Sequence, residues 1–231
     1  MRPRRLTDEI VRQIEQLILN SELCVGDALP AERELAAQLQ VSRNILREAL
    51  SMLVQKGLLV VRPGSGAYVN CPSGEVLRDY LQFLVHFNTS AFYDLVEARR
   101  ALEVEIADLA ARRASREDIE CLKKCLQDME QTIGDPPRYV EADVCFHAAL
   151  ARATGNEILR LLVDSFRGAL RENIHILLAN HPTAVEAALR SHRSIMQAVE
   201  EHLPEAARRA MNEHLEGVRQ GLHELGVPGV S

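Results

Sequence analysis

The stretch EADVCFHAAL, residues 141–150, carries an aspartate and a histidine four residues apart within an otherwise apolar helical pattern. At about 100° per residue in an α-helix, Asp143 and His147 lie on the same face as Phe146. That face is expected to be buried, and a buried carboxylate is costly unless another group compensates its charge. The spacing therefore predicts that Asp143 pairs either with His147 or with a bound metal ion.

Two more of the eight histidines fall on apolar helix faces. His192 lies in the apolar stripe of one predicted helix, and His214 lies in the apolar stripe of the next. One carboxylate and three imidazoles are a ligand set for a divalent ion of the zinc or nickel type. The alternative is that the histidines are separate core residues, with Asp143 hydrogen-bonded to His147. The spacing leaves both interpretations open.

A single arginine, Arg99, also falls on an apolar stripe, which it shares with Leu95 and Ile106. Glu103, four residues later, neutralises Arg99 if the two pair, although an arginine that precedes its glutamate is the weaker order. Otherwise the guanidinium presents two parallel donors to a pocket, a geometry that suits a carboxylate ligand.

Basic and amide side chains are concentrated at the start of an amphipathic segment nearer the N-terminus. Ser42 is placed to cap a helix, and Arg43, Asn44 and Arg47 then project from its first turns. A recognition helix carries the residues that contact bases and phosphates at these positions, since arginine matches guanine and asparagine matches adenine. A solvated helix surface is the alternative.

The elements that have to position these residues form two groups, separated by a break at residues 70–74 that contains proline and glycine. Before the break, the pattern predicts helices over 6–19, 31–39 and 42–56 and strands over 58–62 and 67–70. After it, the pattern predicts only helices, near 75–87, 90–114, 116–133, 137–153, 157–179, 183–200 and 203–225, with Ser115 and Asn156 at helix starts. The expected fold is mainly α: a winged helix-turn-helix domain with a small β-hairpin wing over 1–70, a linker over 71–74, and an antiparallel helical bundle over 75–231.

Composition restricts the class of protein. The chain has 231 residues, and none of its apolar runs approaches the ~20 residues of a membrane span. The basic N-terminus has no apolar signal core, and five scattered cysteines argue against a disulfide framework, so a cytoplasmic protein is expected. The net charge of −6 does not suggest nucleic acid, but a local basic face suffices for phosphate contacts.

The first segment resembles a known family of bacterial proteins. The run LPAERELAAQLQVSRNILREALSMLVQKGLL, followed by GSGAYV, is similar to the DNA-binding domain of the GntR family of transcription regulators. The resemblance covers nearly all of residues 6–70 and implies that three arginines contact DNA: Arg33, Arg43 and Arg47. It implies supporting roles for four further residues: Ser42, Asn44, Gly64 and Gly66.

Two positions depart from the family's pattern. Ala31 stands where the family usually has serine before ERELA, which removes a helix cap worth about 1 kcal/mol. Gln40 stands where the family often has glycine in the turn, and if that position is left-handed, glutamine there costs about 1–2 kcal/mol. Neither departure removes a residue that is expected to read bases.

Residues 75 to about 225 are similar to the FCD ligand-binding domain of FadR-like GntR regulators. The resemblance lies in four motifs: EARRALE (97–103), DVCFHAALARATGN (143–156), SHRSIMQAV (191–199) and MNEHL (211–215). Metal-binding members have an aspartate and three histidines as ligands, matched here by Asp143, His147, His192 and His214. The resemblance implies one divalent ion, zinc first with nickel and manganese as alternatives, and it implies an effector-binding role for Arg99.

The resulting hypothesis is a homodimeric transcription regulator rather than an enzyme. The dimer is expected to bind a near-palindromic double-stranded operator and to repress a catabolic operon. A small hydroxy- or sugar-derived carboxylate that enters the metal pocket would release it, and no membrane partner is expected. Two alternatives remain: a metal sensor, in which the ion is itself the signal, and a metal-dependent hydrolase or lyase fused to a DNA-binding head.

Overall fold

A computed structural model of the chain describes residues 3–71, 74–88, 90–180 and 182–224; the side chains of 3–5, 90, 172–180 and 182–184 are not described. The chain separates into two compact units, Met1–Val76 and Leu77–Ser231, each with its own apolar core. The expected linker, 71–74, lies near this division, but its residues 72–73 lie outside the described residues.

The first unit has the element order of a winged helix-turn-helix, as predicted. Its elements are α1 (Pro3–Leu19), α2 (Glu32–Gln38), α3 (Arg43–Gln55), β1 (Leu59–Arg62) and β2 (Gly66–Val69). The strands pair in antiparallel register, from Leu59 opposite Val69 to Arg62 opposite Gly66, and so form the wing. The core of this unit includes the buried side chains of Ile10, Ile14, Leu46, Leu53, Leu59 and Val69.

An apolar face and a side-chain cap hold α3 in place. Leu46 and Leu53 are fully buried, and each stabilises the unit by about 1.5–3 kcal/mol relative to an exposed side chain. At the N-terminal end of α3, the Ser42 hydroxyl accepts a hydrogen bond from the backbone N–H of Ile45, as predicted for a cap. Together these contacts turn the polar face of α3 outward.

The two departures from the family's pattern have structural consequences in this unit. Gln40 has a φ of 55°, so the turn is left-handed and the condition for a strain of about 1–2 kcal/mol is met. Ala31 occupies the N-cap position of α2 and makes no side-chain cap hydrogen bond. Both residues therefore weaken the framework that carries α3, and neither changes its outward side chains.

From residue 75 onwards, the described elements are all helices. They are α4 (Glu75–Phe87), α5 (Ser90–Arg113), α6 (Arg116–Gln131), α7 (Pro136–Ala153), α8 (Glu157–Asn180), α9 (Pro182–Glu200) and α10 (Pro204–Glu224). α5 packs along α10, α7 packs against both α6 and α8, and α9 packs against α10 and α6. None of the described helices has the length and apolar character needed to cross a bilayer. The fold class, mainly α with a two-stranded wing, is confirmed.

Polar residues set where these helices begin. Ser115 and Asp118 form a reciprocal capping box at the start of α6, as predicted. Asn156 accepts hydrogen bonds from two backbone N–H groups in the first turn of α8. Asp135 caps α7, and Pro136 is tolerated as its first residue because that N–H has no partner inside a helix. The helix that carries the EADVCFHAAL motif is therefore fixed at its N-terminal end.

Candidate metal centre and DNA-binding surface

Four polar side chains meet in the interior of the helical unit. Asp143 and His147 lie one turn apart on α7, while His192 lies on α9 and His214 lies on α10. Each offers a ligand atom, and these atoms all lie within 4.8 Å of one another. No residue of the four is more than 4% exposed. The structure therefore brings together the complete set whose convergence the spacing left open.

Two distances test whether this cluster fits an ion. His192 Nε2 lies 3.3 Å from His147 Nε2 and 3.3 Å from Asp143 Oδ1. Adjacent ligands on an ion with bonds of about 2.1 Å are about 3.0 Å apart in octahedral and about 3.4 Å apart in tetrahedral coordination. The residues present thus fit a divalent ion. The same spacing also suits a direct hydrogen bond between the two imidazoles, which is the polar-core alternative.

Burial keeps two of the histidines neutral. Desolvation lowers the pKa of His192 to about 4, against the opposing charge of Asp143. Desolvation also lowers the pKa of His214 well below its usual range, and the neighbouring imidazoles of His192 and His147 add to the effect. Because a metal binds the neutral imidazole, both side chains are in the protonation state that a ligand needs at neutral pH.

A fifth buried residue, Glu103 on α5, contacts His147 on the side away from His192. Its Oε2 lies 2.5 Å from His147 Nδ1. Burial disfavours the carboxylate, but the charge of Arg99 and the contacts with Arg99 and His147 outweigh burial and lower the pKa of Glu103 to about 2. The anion therefore lies against Nδ1 of His147, while Nε2 of the same ring faces the cluster. A carboxylate behind a histidine is a common support of metal ligands, and no spacing predicts it here because it joins α5 to α7.

Arg99 is the second partner of Glu103. Its Nε and Nη2 lie 2.5 Å and 3.4 Å from the two carboxylate oxygens, and both side chains are almost fully buried. The structure thus contains the ion pair that was one of the two interpretations of Arg99. Breaking such a pair is costly because the remaining charge is left uncompensated. The third guanidinium nitrogen, Nη1, takes no part in this pair.

A buried tyrosine completes the surroundings of Asp143. Tyr139 lies one turn before Asp143 on α7, and its hydroxyl has no hydrogen-bond partner among the described residues. Burial and the nearby Asp143 raise the pKa of Tyr139, so the group stays a neutral donor. The helical spacing puts Tyr139 on the same face as Asp143, but it does not indicate a role for the hydroxyl. An unsatisfied buried hydroxyl costs about 1–3 kcal/mol, so a ligand or water that accepts from it is stabilised.

The candidate DNA-binding surface lies on the first unit. Five of the residues predicted there are exposed around α2 and α3: Arg33, Ser42, Arg43, Asn44 and Arg47. The Ser42 hydroxyl is engaged in the cap of α3, so this residue supports the helix. Arg43 and Asn44 occupy the first turn of α3, the position from which a recognition helix reaches base edges.

Arg47 has a partner that the sequence did not predict. Its Nε lies 2.7 Å from Glu32 Oε2 on α2, with the two side chains 59% and 41% exposed. Exposed pairs of this kind contribute about 0–1 kcal/mol. Glu32 therefore orients Arg47 without holding it strongly, and a phosphate or a guanine is able to replace the carboxylate.

The wing depends on two glycines and an aromatic ring. Gly64 and Gly66 have φ values of 73° and 109°, which residues with a side chain rarely adopt. A Cβ added at either position would meet no atom within 4 Å. Backbone conformation, not crowding, is thus the reason for glycine here. Arg62 lies with its guanidinium carbon 4.4 Å from the centre of the Tyr68 ring, a cation–π contact at the base of the turn.

Comparison with known proteins agrees with this organisation. Residues 6–69 match the bacterial regulatory proteins of the gntR family, and residues 94–217 match the FCD domain. The chain is 37% identical over 226 residues to the Uxu operon transcriptional regulator of Escherichia coli (strain K12). The matched region covers 94% of this chain and 86% of that protein. It is 35% identical over 221 residues to the putative L-lactate dehydrogenase operon regulatory protein of the same strain, covering 92% and 84%.

Two further relatives extend the comparison. The HTH-type transcriptional repressor NanR of Citrobacter rodentium (strain ICC168) is 31% identical over 236 residues, covering 96% of this chain and 87% of that protein. Among solved structures, Streptococcus agalactiae GntR is 34% identical, with a TM-score of 0.67, over 93% of this chain and 99% of that one. The relatives named here are regulators and not enzymes. The chain therefore belongs to the gntR family of bacterial transcription regulators, in the FadR-like group whose effector-binding domain is an FCD domain.

Proposed function

We propose that this regulator is a cytoplasmic, homodimeric repressor of a catabolic operon, and that it releases its operator when a small hydroxy- or sugar-derived carboxylate binds at the metal centre. One observation carries the proposal: the aspartate and three histidines converge at ligand spacing inside the domain that binds effectors. When bound, a divalent ion supplies a Lewis-acidic site for oxygen ligands. Zinc is our first choice, with nickel and manganese as alternatives.

The ligand roles follow from the donor set. Asp143, His147, His192 and His214 would hold the ion. Glu103 would fix the orientation of His147, since its carboxylate lies 2.5 Å from Nδ1 of that ring. The ion in turn would compensate the buried charge of Asp143, because the neighbouring His192, at 3.3 Å, is neutral and supplies no countercharge.

The names of the relatives support the class of effector. One relative is named for an L-lactate dehydrogenase operon, and lactate is a hydroxycarboxylate. Another is named as a repressor, which supports repression as the direction of control. A hydroxycarboxylate has several oxygen donors close together, so it matches a centre made of a divalent ion and buried hydrogen-bond donors.

Two buried donors beside the centre suit such an acid. The Tyr139 hydroxyl is unpartnered among the described residues, and it lies one turn from Asp143. Arg99 uses Nε and Nη2 for Glu103, which leaves Nη1 for a ligand carboxylate. Because Arg99 is about 1% exposed, the acid has to enter the interior of the unit, and its binding therefore favours one packing of the helices over another.

The DNA contacts would come from the recognition helix and the wing. Arg43 and Arg47 are placed on the outer side of α3, and Arg33 is exposed on α2. Arginine at these positions reads guanine or neutralises phosphates. Asn44 would add a contact to adenine, whereas Ser42, Gly64 and Gly66 would keep the helix and the wing in shape.

An exposed aromatic face on α4 supports the homodimer. Tyr80, Phe83 and Phe87 are 67%, 63% and 81% exposed, and the rings of Phe83 and Phe87 stack at 6.4 Å. Apolar side chains grouped in this way commonly mark an interface, and a two-fold partner would cover the same face on both protomers. Two DNA-binding domains related by a two-fold axis would match a near-palindromic operator.

Release from DNA in the presence of metal and acid tests the proposal. The full chain, loaded with zinc, is titrated with L-lactate and with a panel of sugar acids, and operator affinity is followed by fluorescence anisotropy. We expect one or more acids to weaken operator binding in the zinc-loaded protein and to have no effect after chelation. A response that is the same with and without zinc would refute a metal-dependent effector site.

Two further measurements separate the parts of the proposal. Arg99→Lys keeps a positive charge beside Glu103 but removes the parallel N–H donors of the guanidinium. The variant should therefore retain operator binding and lose most of the response to the acid. Arg100→Lys, an exposed position on the same helix, is the matched control. If operator affinity follows free zinc without any acid, the metal-sensor alternative is correct.

A further inference from the structure

A second cluster of reactive side chains lies where α6 packs against α7. Cys125 on α6 and Cys145 on α7 have their Sγ atoms 3.1 Å apart. Cys125 is buried and Cys145 is exposed, so one thiol of the pair is open to solvent. Cys145 follows Asp143 by two residues, about 200° around the helix, and therefore faces away from the metal centre. Neither thiol has a role in the proposed function.

We propose that Cys125 and Cys145 form an oxidation site that hydrogen peroxide converts into an intramolecular disulfide. A disulfide needs its two sulfur atoms to approach by about 1 Å from the distance seen here. Side-chain rotation supplies a movement of this size, and the two helices are already packed together. The exposed sulfur of Cys145 meets the oxidant, and the buried sulfur of Cys125 resolves the intermediate.

The reaction is a balanced two-electron oxidation. The sulfur of Cys145 attacks one oxygen of hydrogen peroxide, the O–O bond breaks, and a sulfenic acid and one water form. The sulfur of Cys125 then attacks that sulfur; the S–S bond forms, the S–O bond breaks, and the hydroxyl leaves with the thiol proton as a second water. Two thiols and one peroxide thus give one disulfide and two waters.

The other cysteines are placed differently from this pair. Cys121 lies one turn before Cys125 on the same helix, and it interacts with Cys125 and with Arg152 on α7. Cys24, in the first unit, donates instead to the backbone carbonyl of Ser21 at 3.7 Å. Among the described cysteines, the pairing of Cys125 with Cys145 joins a buried thiol to an exposed one on a neighbouring helix, with 3.1 Å between the sulfur atoms.

The bond would connect α6 to the helix that carries Asp143 and His147. It would close a loop between positions that are 20 residues apart, and cross-linking restricts the unfolded chain more than the folded one. The oxidised protein should therefore unfold several degrees above the reduced protein.

Peptide mapping after peroxide treatment tests the site. The reduced full-length protein is treated with hydrogen peroxide, remaining thiols are blocked with an alkylating reagent, and non-reduced peptides are identified by mass spectrometry. We expect a cross-link between Cys125 and Cys145, a loss of about 2 Da from the chain, and reversal by dithiothreitol. Cys145→Ser should abolish the cross-link, whereas Cys121→Ser should retain it.

Three outcomes would overturn the proposal. They are a disulfide that joins Cys121 to either partner in the wild-type protein, linkage between chains through Cys24 or Cys71, and a Cys145 that becomes sulfinic acid while Cys125 stays a free thiol. The peptide map of the oxidised wild-type protein distinguishes these outcomes without any variant. Because Cys145 is exposed, Cys145→Ser should fold as the wild type does, and its circular dichroism spectrum checks that it has.

Discussion

Replacing Glu103 by glutamine tests the metal centre without changing any proposed ligand. In the wild type, the carboxylate lies 2.5 Å from His147 Nδ1, and in the proposed metal centre it accepts the Nδ1–H of that ring. In Glu103→Gln, an amide N–H that faces Nδ1 drives the imidazole to the tautomer protonated on Nε2. That nitrogen lies 3.3 Å from His192 Nε2, inside the cluster, so a proton there blocks coordination.

Two effects of different size are expected from Glu103→Gln. Loss of the group that orients a ligating histidine lowers metal affinity about 10–100-fold, or about 1.4–2.7 kcal/mol. Separately, Arg99 loses its countercharge while only about 1% exposed, and removal of one partner of a buried pair costs about 3–5 kcal/mol. The glutamine oxygen still accepts a hydrogen bond from Arg99, so the loss of stability should lie near the lower end of that range.

The two effects are measured separately. Zinc affinity is obtained by competition with a chelating dye at a temperature where circular dichroism shows the variant to be folded, and stability is obtained from urea unfolding of the metal-free protein. Glu105→Gln is the matched control, because Glu105 lies on the same helix and pairs with Arg208 at the surface. If Glu103→Gln loses stability but binds zinc as tightly as the wild type, the contact with His147 does not support a metal ligand.

Three further predictions concern the DNA-binding surface, the ligands and the turn. Arg43→Ala and Arg47→Ala should each weaken operator binding by about 1–3 kcal/mol in a salt-dependent manner, measured by anisotropy, and unchanged affinity in both would refute the assignment. His147→Ala and His214→Ala should lower the zinc content, measured by elemental analysis, and the melting temperature, because metal binding is coupled to folding. Wild-type protein that holds no metal after purification without an affinity tag or a chelator would contradict this prediction. Gln40→Gly should raise the free energy of unfolding of the first unit by up to about 1–2 kcal/mol, since φ is 55° there, and a loss of stability would show that the strain is not relieved.

Local patterns predicted most of the fold because helix boundaries are set locally. The capping box at Ser115 and the caps at Ser42 and Asn156 lie where the sequence placed them. Every helix of the second unit agrees with its predicted span to within two residues at each end. Apolar periodicity at 3.6 residues also predicted which faces are buried, and it therefore predicted that Asp143 and Arg99 point inward.

Contacts between helices were harder to predict than the helices themselves. The inward position of the three histidines followed from periodicity, but their convergence depends on how α7, α9 and α10 pack, which the spacing within each helix does not specify. The contact between Glu103 and His147, the pair between Arg47 and Glu32, and the approach of Cys125 to Cys145 all join different helices. The Arg99–Glu103 pair, in contrast, had a local signal, the i,i+4 spacing.

The two interpretations of Arg99 are compatible because of what Glu103 touches. Arg99 holds Glu103, and Glu103 holds His147, so a continuous chain of buried contacts leads from the guanidinium to a proposed ligand. In the proposed mechanism, a ligand carboxylate on Arg99 would compete with Glu103 for the same positive charge, and weakening of that pair would change how firmly Glu103 orients His147. The acid and the ion would then interact through one side chain, which is the differential interaction that an effector needs in order to shift a conformational equilibrium. The ion pair in the free protein is thus compatible with the proposal that an acid binds at Arg99.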